Sequence, residues 1–553
     1  DGMGSSITLS LSADGFTAAP NVGTITMSPQ NYSTTSTGTK AFYMSFAESP
    51  SVSKRNVTVW TDAGLKAGTF TGAKLNVNSS YTTIIADFKD APVPFADENF
   101  KAYCVTNFDT DGDGEISTDE AAAVTTIDIL SDDITSLEGI RYFRNLESLG
   151  FRGIFAKWSK SGTAGHWSCE YGYEPANYDT NISGFIGISA SGKLRSLDLS
   201  GLSCLRTLNV QRTMLEEINL EGCAALDSCV ILSTALTELS LGSCPALTHF
   251  QTDSCPLTSL DVTNNTALTK LSCVSSQLTG IDITNNTALD RFWCTDNQLT
   301  SLDVSRNTLL TSLECNQNQL TSLDVSSNTV LTTLWCNYNQ LTSLDITNNT
   351  ALMALKCGKN QLTSLDVRNN AALVRLECEI NQLTDLDVSN NTTLQTLRCN
   401  NNLLTNLVFS DNSALISLQC HNNELTSLDV SKNTMLANLD CNQNHLISLD
   451  VSKNTILTNL DCQENQLTSL DISKNTTLTY LRCNNNNLAT LDVSENVSLE
   501  SLNCAPMTSL AKLIMKQGQT IWGINVDRSP YVIPDHTIIE YRGDTDMEDG
   551  GDI

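Results

Sequence analysis

The sequence is poor in basic residues. Lys and Arg together number 32 against 61 Asp and Glu, a formal net charge of −29. A surface this acidic repels phosphate backbones, and no basic stripe interrupts it, so nucleic acid is not an expected partner. Long apolar runs are missing as well. No stretch of about 18 apolar residues occurs, so no segment is expected to span a membrane. Histidine is scarce, with 5 in 553 residues, and those are dispersed. No GxSxG, HExxH or P-loop pattern is present, so an enzyme is not expected. The opening residues contain neither a basic n-region nor an apolar h-region, so any signal peptide is expected to have been removed. The acidic tail 543–553 has no hydrophobic anchor.

What is abundant is repetition. From Leu268 onward the chain repeats a unit of the form LxxLxCxxNQLTSLDVSxNTx, one copy of which, LTSLECNQNQLTSLDVSSNTV, runs from Leu310 to Val330. Its sixth position holds twelve cysteines spaced 21 residues apart, from Cys273 to Cys504, and earlier copies place Val210, Ile231 and Thr252 there. A period of this length predicts a solenoid, in which each turn stacks on the last with a strand spacing of about 4.8 Å. LxxLxC supplies one short strand per turn, with its fourth and sixth positions inward and its third, fifth and seventh outward. The second half, NxLxxLDV, adds inward leucines on the opposite wall. It is too short and polar for a helix, so extended or 3₁₀ structure is expected there.

The polar columns read as structural. Asn297 and its equivalents through Asn486 are expected to satisfy backbone groups at a buried turn. The aspartates from Asp261 to Asp492, interrupted at Val408, are expected to cap the following turn in the same way. The cysteine ladder could be bridged, could bind metal, or could be buried thiols. Parallel Cβ vectors disfavour bridges and a straight ladder cannot offer a tetrahedral site, so small buried hydrophobes are expected. The pairing of Cys104, Cys169, Cys204, Cys223, Cys229, Cys244 and Cys255 stays open.

The LxxLxCxxNxLxxLDVSxNT unit, over about Val124 to Leu510, resembles the bacterial surface leucine-rich repeats of the internalin type, in particular the branch whose repeats carry a cysteine ladder. The resemblance implies a curved parallel solenoid, an extracellular location and a role in adhesion or recognition. The Gram-positive members' cell-wall sorting motif is absent and the front end differs, which fits a Gram-negative surface or secreted relative, with a lipidated cysteine before Asp1 as one route of attachment.

A second motif stands ahead of the repeats. Residues Asp109 to Glu120 read DTDGDGEISTDE and fill a twelve-residue EF-hand loop. Asp109, Asp111 and Asp113 would supply carboxylates, Gly114 the sharp turn, Glu115 its backbone carbonyl, Ser117 the ninth position and Glu120 a bidentate carboxylate. Calcium is the expected cofactor. Phe100, Tyr103, Cys104 and Phe108 give the preceding segment a helical apolar face. A single loop at the open end of a solenoid reads as a structural clamp that caps the first turn.

The expected fold is mainly β, a leucine-rich-repeat solenoid of parallel short strands, preceded by a small β-sandwich and an EF-hand-like helix–loop–helix cap. Residues 1–92 form the Ig-like β-sandwich, 93–123 the calcium-binding cap and 124–510 the solenoid, with an insertion at about 152–184. Residues 511–553 form a C-terminal β cap and acidic tail. The insertion carries Phe155, Trp158, His166, Trp167, Tyr171, Tyr173 and Tyr178, which suit either a contact surface or packing over the cap.

Repetition also separates frame from function, because frame columns hardly vary while outward columns do. The fifth position carries Trp293 and Trp335 two turns apart, about 10 Å on one face. Arg291, Glu314, Tyr338 and Lys356 lie beside them. Aromatics amid mixed charge anchor protein interfaces, and sugars stack on such rings. The expected function is a cell-surface or secreted recognition or adhesion protein, monomeric, binding a protein or glycan on its concave face. The alternative is a rigid spacer without a ligand of its own.

Overall fold

The computed structural model describes residues 92–153, 192–409, 412–519 and 537–542, together with backbone strands within 6–84 and 156–171. The chain divides into two compact units, Asp1–Leu236 with Ser243–Ala246, and Thr237–Gly242 with Leu247–Ile553.

In the first unit, backbone strands form a four-stranded sheet in the order Gly15–Ala18, Ser6–Ser12, Asn56–Thr61 and Gly64–Thr69. Tyr32–Thr34, Lys40–Met44 and Thr82–Ile84 make a three-stranded sheet. The face-to-face packing that a β-sandwich over 1–92 requires lies outside the described residues. Helix α1, Glu98–Phe108, starts at Asp97, whose side chain accepts from Asn99 N and Phe100 N. Phe100 and Cys104 point inward from it. Helix α2, Thr118–Ala123, opens on a capping box in which Ser117 and Glu120 satisfy each other's backbone N–H.

After α2 the chain enters parallel strands at Thr126–Leu130, Ser148–Arg152, Thr207–Gln211 and Ser228–Leu232, paired in that order. Thr126–Leu130 alternates exposed and buried residues, so Ile127 and Ile129 enter the core. Helix α1 lies along this first strand, with Tyr103 Oη donating to Asp128 O at 3.0 Å and Asn99 Nδ2 to Asp133 O at 3.2 Å. An otherwise open strand edge is thereby covered. Of the insertion, only the backbone hairpin Ala156–Ser161 with His166–Tyr171 is seen. Its aromatic side chains lie outside the described residues.

In the second unit thirteen three-residue strands, from His249–Gln251 to Ser501–Asn503, belong to one parallel sheet. Each pairs in parallel with the strand 21 residues on, as Ser312–Glu314 does with Thr333–Trp335. In the turn Leu310–Val330, the residues Leu310, Leu313, Cys315, Leu320 and Val325 are fully buried. Each such leucine is worth about 1.5–3 kcal/mol of burial, and stacking supplies the partner surface that one turn alone lacks. On the far wall the chain is extended and then makes two successive turns, Asn307 N to Val304 O at 3.0 Å and Leu310 N to Asn307 O at 3.1 Å. Lys512–Lys516 pairs in parallel with Thr490–Asp492 and with Ile538–Arg542. The rest of the expected C-terminal cap and tail is outside the described residues.

The asparagine column behaves as a backbone surrogate. Asn318 Nδ2 donates to Cys294 O at 2.9 Å and Cys315 O at 3.1 Å, while its Oδ1 accepts from Leu299 N at 3.0 Å. The residue before it, Gln317, is left-handed at φ 54°, and the same position is left-handed in turn after turn, from Arg212 to Asn485. The chain bends there to leave the strand, which exposes the buried groups that the asparagine serves.

The aspartate column differs from expectation. Asp303 does not reach the following turn; its Oδ1 accepts from Ser305 N at 2.9 Å, two residues on in its own loop, and the residue is exposed. A short carboxylate closes an Asx turn on its own backbone before it can span to a neighbour. Hydrogen bonds from the Ser305 hydroxyl and N–H hold its carboxyl below the usual range.

The task of linking turns on that wall falls instead to a second asparagine column, Asn265 to Asn496, wholly buried. Asn307 Nδ2 donates to Ile283 O at 3.0 Å and Asn286 O at 2.9 Å. In earlier turns Cys223 and Cys244 hold this place, and Cys223 Sγ donates to Leu199 O at 3.3 Å, the same 24-residue reach. Cys255 stands in the Asn297 column and Cys229 in a leucine column. Among the described residues the ladder cysteines are thiols buried at every turn. Burial pushes them up, Cys336 to about 12, so they are inert fillers of the core.

Candidate functional site

The outward fifth positions of successive strands place Ser272, Trp293, Glu314, Trp335, Lys356, Glu377 and Arg398 in one in-register column. Alternation forces this, since the leucine (phenylalanine at Phe292) and the cysteine on either side of each are buried. Trp293, Glu314 and Trp335 are half-buried. Trp293 Nε1 donates to Ser312 Oγ at 3.3 Å. Lys356 Nζ sits 3.8 Å from the centre of the Trp335 ring and 3.9 Å from Glu377 Oε2.

Four of the six residues expected to bind ligand are thus brought together: Trp293, Glu314, Trp335 and Lys356. Arg291 lies on the same strand as Trp293 but is exposed at its start, 3.6 Å from Asp290. Tyr338 leaves the face altogether. It occupies the left-handed turn position at φ 56°, 44% exposed, with Lys359 Nζ 3.9 Å over its ring and bonded to its hydroxyl.

Sequence reasoning missed the neighbouring charges. Glu377 is only 7% exposed and meets Arg375 at 3.1 Å and Arg398 at 3.5 Å as well as Lys356. Farther along, Asp440 faces His421 at 2.9 Å and Asp461 faces Arg482 at 3.6 Å. Burial, with the Asp440 charge beside it, pushes the Asp461 carboxyl up to about 6. The signal was available, because writing the column 21 residues at a time sets each of these residues beside its partner's strand.

Glu314 stands apart. Burial between the indoles pushes its carboxyl up to about 7, against a lowering pull from Lys356. Among the described residues its carboxylate accepts no hydrogen bond and makes no ion pair, while its backbone carbonyl accepts from Cys294 N at 2.8 Å.

The acidic loop forms a second candidate. Asp109, Asp111 and Glu120 present carboxylate oxygens within 4.8 Å of one another. Asp109 also accepts from Gly112 N at 2.6 Å and Gly114 N at 2.9 Å, both glycines being left-handed, at φ 75° and 83°. Burial would raise the Glu120 carboxyl, but hydrogen bonds from Ser117 and Thr110 outweigh it and hold the group at about 2. Asp113 stays outside the triad and accepts from Glu115 N. Glu115 pairs its side chain with Lys101 at 2.8 Å, which leaves its backbone carbonyl as the available ligand. Three converging carboxylates on a glycine-shaped loop fit a hard, oxygen-seeking cation such as calcium.

This is a parallel leucine-rich-repeat solenoid with a cysteine ladder, and comparison with solved structures agrees. The functional domain of InlJ from Listeria monocytogenes, whose structure includes a cysteine ladder, is 31% identical and aligns with a TM-score of 0.53 over 76% of this chain and 75% of that one. The chain belongs to the internalin-type leucine-rich-repeat proteins. A leucine-rich-repeat protein of Leptospira interrogans shares the fold at 20% identity and a TM-score of 0.53, covering 72% of this chain and 91% of that chain. A plant peptide hormone receptor, RGFR1 in complex with RGF2, does so at 16% identity and 0.51, covering 72% and 77%. No protein-family model matches the chain, and no curated protein does. Membership of this family carries a role in recognition or protein interaction. No helix among the described residues is long and apolar enough to cross a membrane.

Proposed function

We propose that the chain is a cell-surface or secreted recognition protein that binds a protein ligand on the outward strand column around Trp293, Glu314, Trp335 and Lys356. The observation that carries this reading is that two large aromatic rings and a charge without a partner occupy consecutive turns of an otherwise small or self-paired column. Rigid aromatic anchors in a fixed row give an interface its central contacts at low entropic cost. A protein and glycan array probed with the parent and with Trp293→Ala/Trp335→Ala tests it. Ligands retained by the parent and lost by the variant support it; equal retention removes this face from consideration, and the absence of any ligand favours the spacer reading.

A calcium-stabilised cap accompanies this function. Asp109, Asp111 and Glu120 would hold the ion, with Asp113, the Glu115 carbonyl and Ser117 completing the set. Neutralising the carboxylates would fix the loop between α1 and α2. That loop matters because Asp97, at the head of α1, also accepts from Thr135 N at 2.7 Å and Thr135 Oγ1 at 2.6 Å, tying the cap to the first turns.

A further inference from the structure

We propose that Glu314, flanked by Trp293 and Trp335, is a subsite for a primary ammonium group, a lysine side chain of the ligand protein. The inference rests on the recognition reading above and names the chemistry of that same site.

Glu314 is set apart by the rest of its column. Every other charged residue at its fifth positions from Lys356 onward has an opposite charge within reach: Lys356 with Glu377, Arg398 with Glu377, Asp440 with His421, and Arg482 with Asp461. Glu314 has none among the described residues. The nearest cation of the column, Lys356, is held over the Trp335 ring and toward Glu377. A half-buried carboxylate without a partner is a desolvation cost that a folded protein normally relieves by pairing.

The flanks favour a cation over a neutral group. Indole faces carry negative potential and attract ammonium groups, and the chain already shows the pairing twice, in Lys356 over Trp335 and Lys359 over Tyr338. The net charge of −29 steers cationic partners toward the surface. A sugar could stack on the rings, but it would leave the carboxylate's charge without a counterion. The displaced proton gives a second handle. Burial places the Glu314 carboxyl at about 7, so a cation that needs the ionised form binds more tightly as pH rises through that value. The charged groups nearest to it on the same face are Arg291 on the preceding strand, Lys356 two strands on and Glu377 three strands on.

The test is a tryptophan-fluorescence titration of the full chain with hexalysine, with its Nε-acetylated form and with chitohexaose, for the parent, Glu314→Gln and Asp324→Asn. Asp324 lies on the opposite wall and removes the same single charge. The expected result is that hexalysine binds and the acetylated peptide does not. Glu314→Gln should then weaken binding about tenfold, while Asp324→Asn stays within about twofold. The parent's affinity should fall between pH 8 and pH 6, and that of Glu314→Gln should not. Equal weakening by the two variants means diffuse charge attraction and overturns the proposal. So does binding of chitohexaose in place of hexalysine, and so does no binding of either. In those cases a ligand from the array that still depends on Trp293 and Trp335 leaves the recognition reading standing.

Discussion

Trp293 donates its indole N–H to Ser312 Oγ, the residue one strand on at the third position of the repeat. Two turns later the same geometry recurs with a difference of one atom. Trp335 has Ala354 in the place of Ser312, and its buried Nε1 finds no acceptor among the described residues. Ala354→Ser should supply that acceptor and stabilise the chain by about 0.5–1.5 kcal/mol. A urea midpoint that fails to rise would show that the indole is served in another way.

The Glu314 carboxyl gives a pH prediction of definite sign. Its folded value, about 7, lies above the ordinary glutamate value of 4.5, so the folded state holds the proton more tightly. Stability from this group is therefore present at low pH and is lost as pH rises from about 4.5 through 7. Glu314→Gln removes the ionisation, so its melting temperature should exceed the parent's at pH 8 and match it near pH 5. A difference that is constant with pH contradicts the burial that the structure assigns to Glu314.

The asparagine columns and the aspartate column should differ sharply in cost. Asn318→Ala leaves Leu299 N without its acceptor in a buried turn and removes one of the two amide donors that serve each of Cys294 O and Cys315 O, a loss of about 2–3 kcal/mol. Asp324→Ala removes one hydrogen bond on an exposed loop and should cost about 1 kcal/mol or less. Chemical denaturation of both variants checks the order, and a reversed order would refute the division of labour between the walls.

Much of this frame is legible in the sequence because one period is written out again and again. Leu313, Cys315 and Asn318 declare their places by spacing alone. Other residues needed the three-dimensional register. Asn307 is as regular as Asn318, yet flanking Ser and Thr make it read as an ordinary turn residue. Its 24-residue reach shows only once turns are stacked. Cys223 and Cys255 look like a loose disulfide set until alignment puts them in asparagine columns. Tyr338 was expected beside Trp335 because only three residues separate them. Tyr338 itself takes the left-handed conformation at which the chain leaves the strand, and this carries its ring off the face. The knot of Arg375, Glu377 and Arg398 joins residues one strand apart, which linear neighbourhood hides.

Calcium should stabilise the first unit through the loop. Adding calcium to chelator-treated protein should raise its melting temperature, and Asp109→Asn with Glu120→Gln should abolish the shift. The change should appear as protection of amides in α1 and in Thr126–Leu130, because Tyr103 joins these elements. Magnesium producing the same shift at equal concentration would argue for general screening over a seven-oxygen site.

The most direct test of the central claim is the affinity of an array-identified protein ligand for four chains: the parent, Trp293→Ala, Trp335→Ala and Asp324→Asn. The structure predicts that each tryptophan variant loses about tenfold or more, with intact far-ultraviolet dichroism, and that Asp324→Asn binds like the parent. Undiminished binding by both tryptophan variants would contradict it.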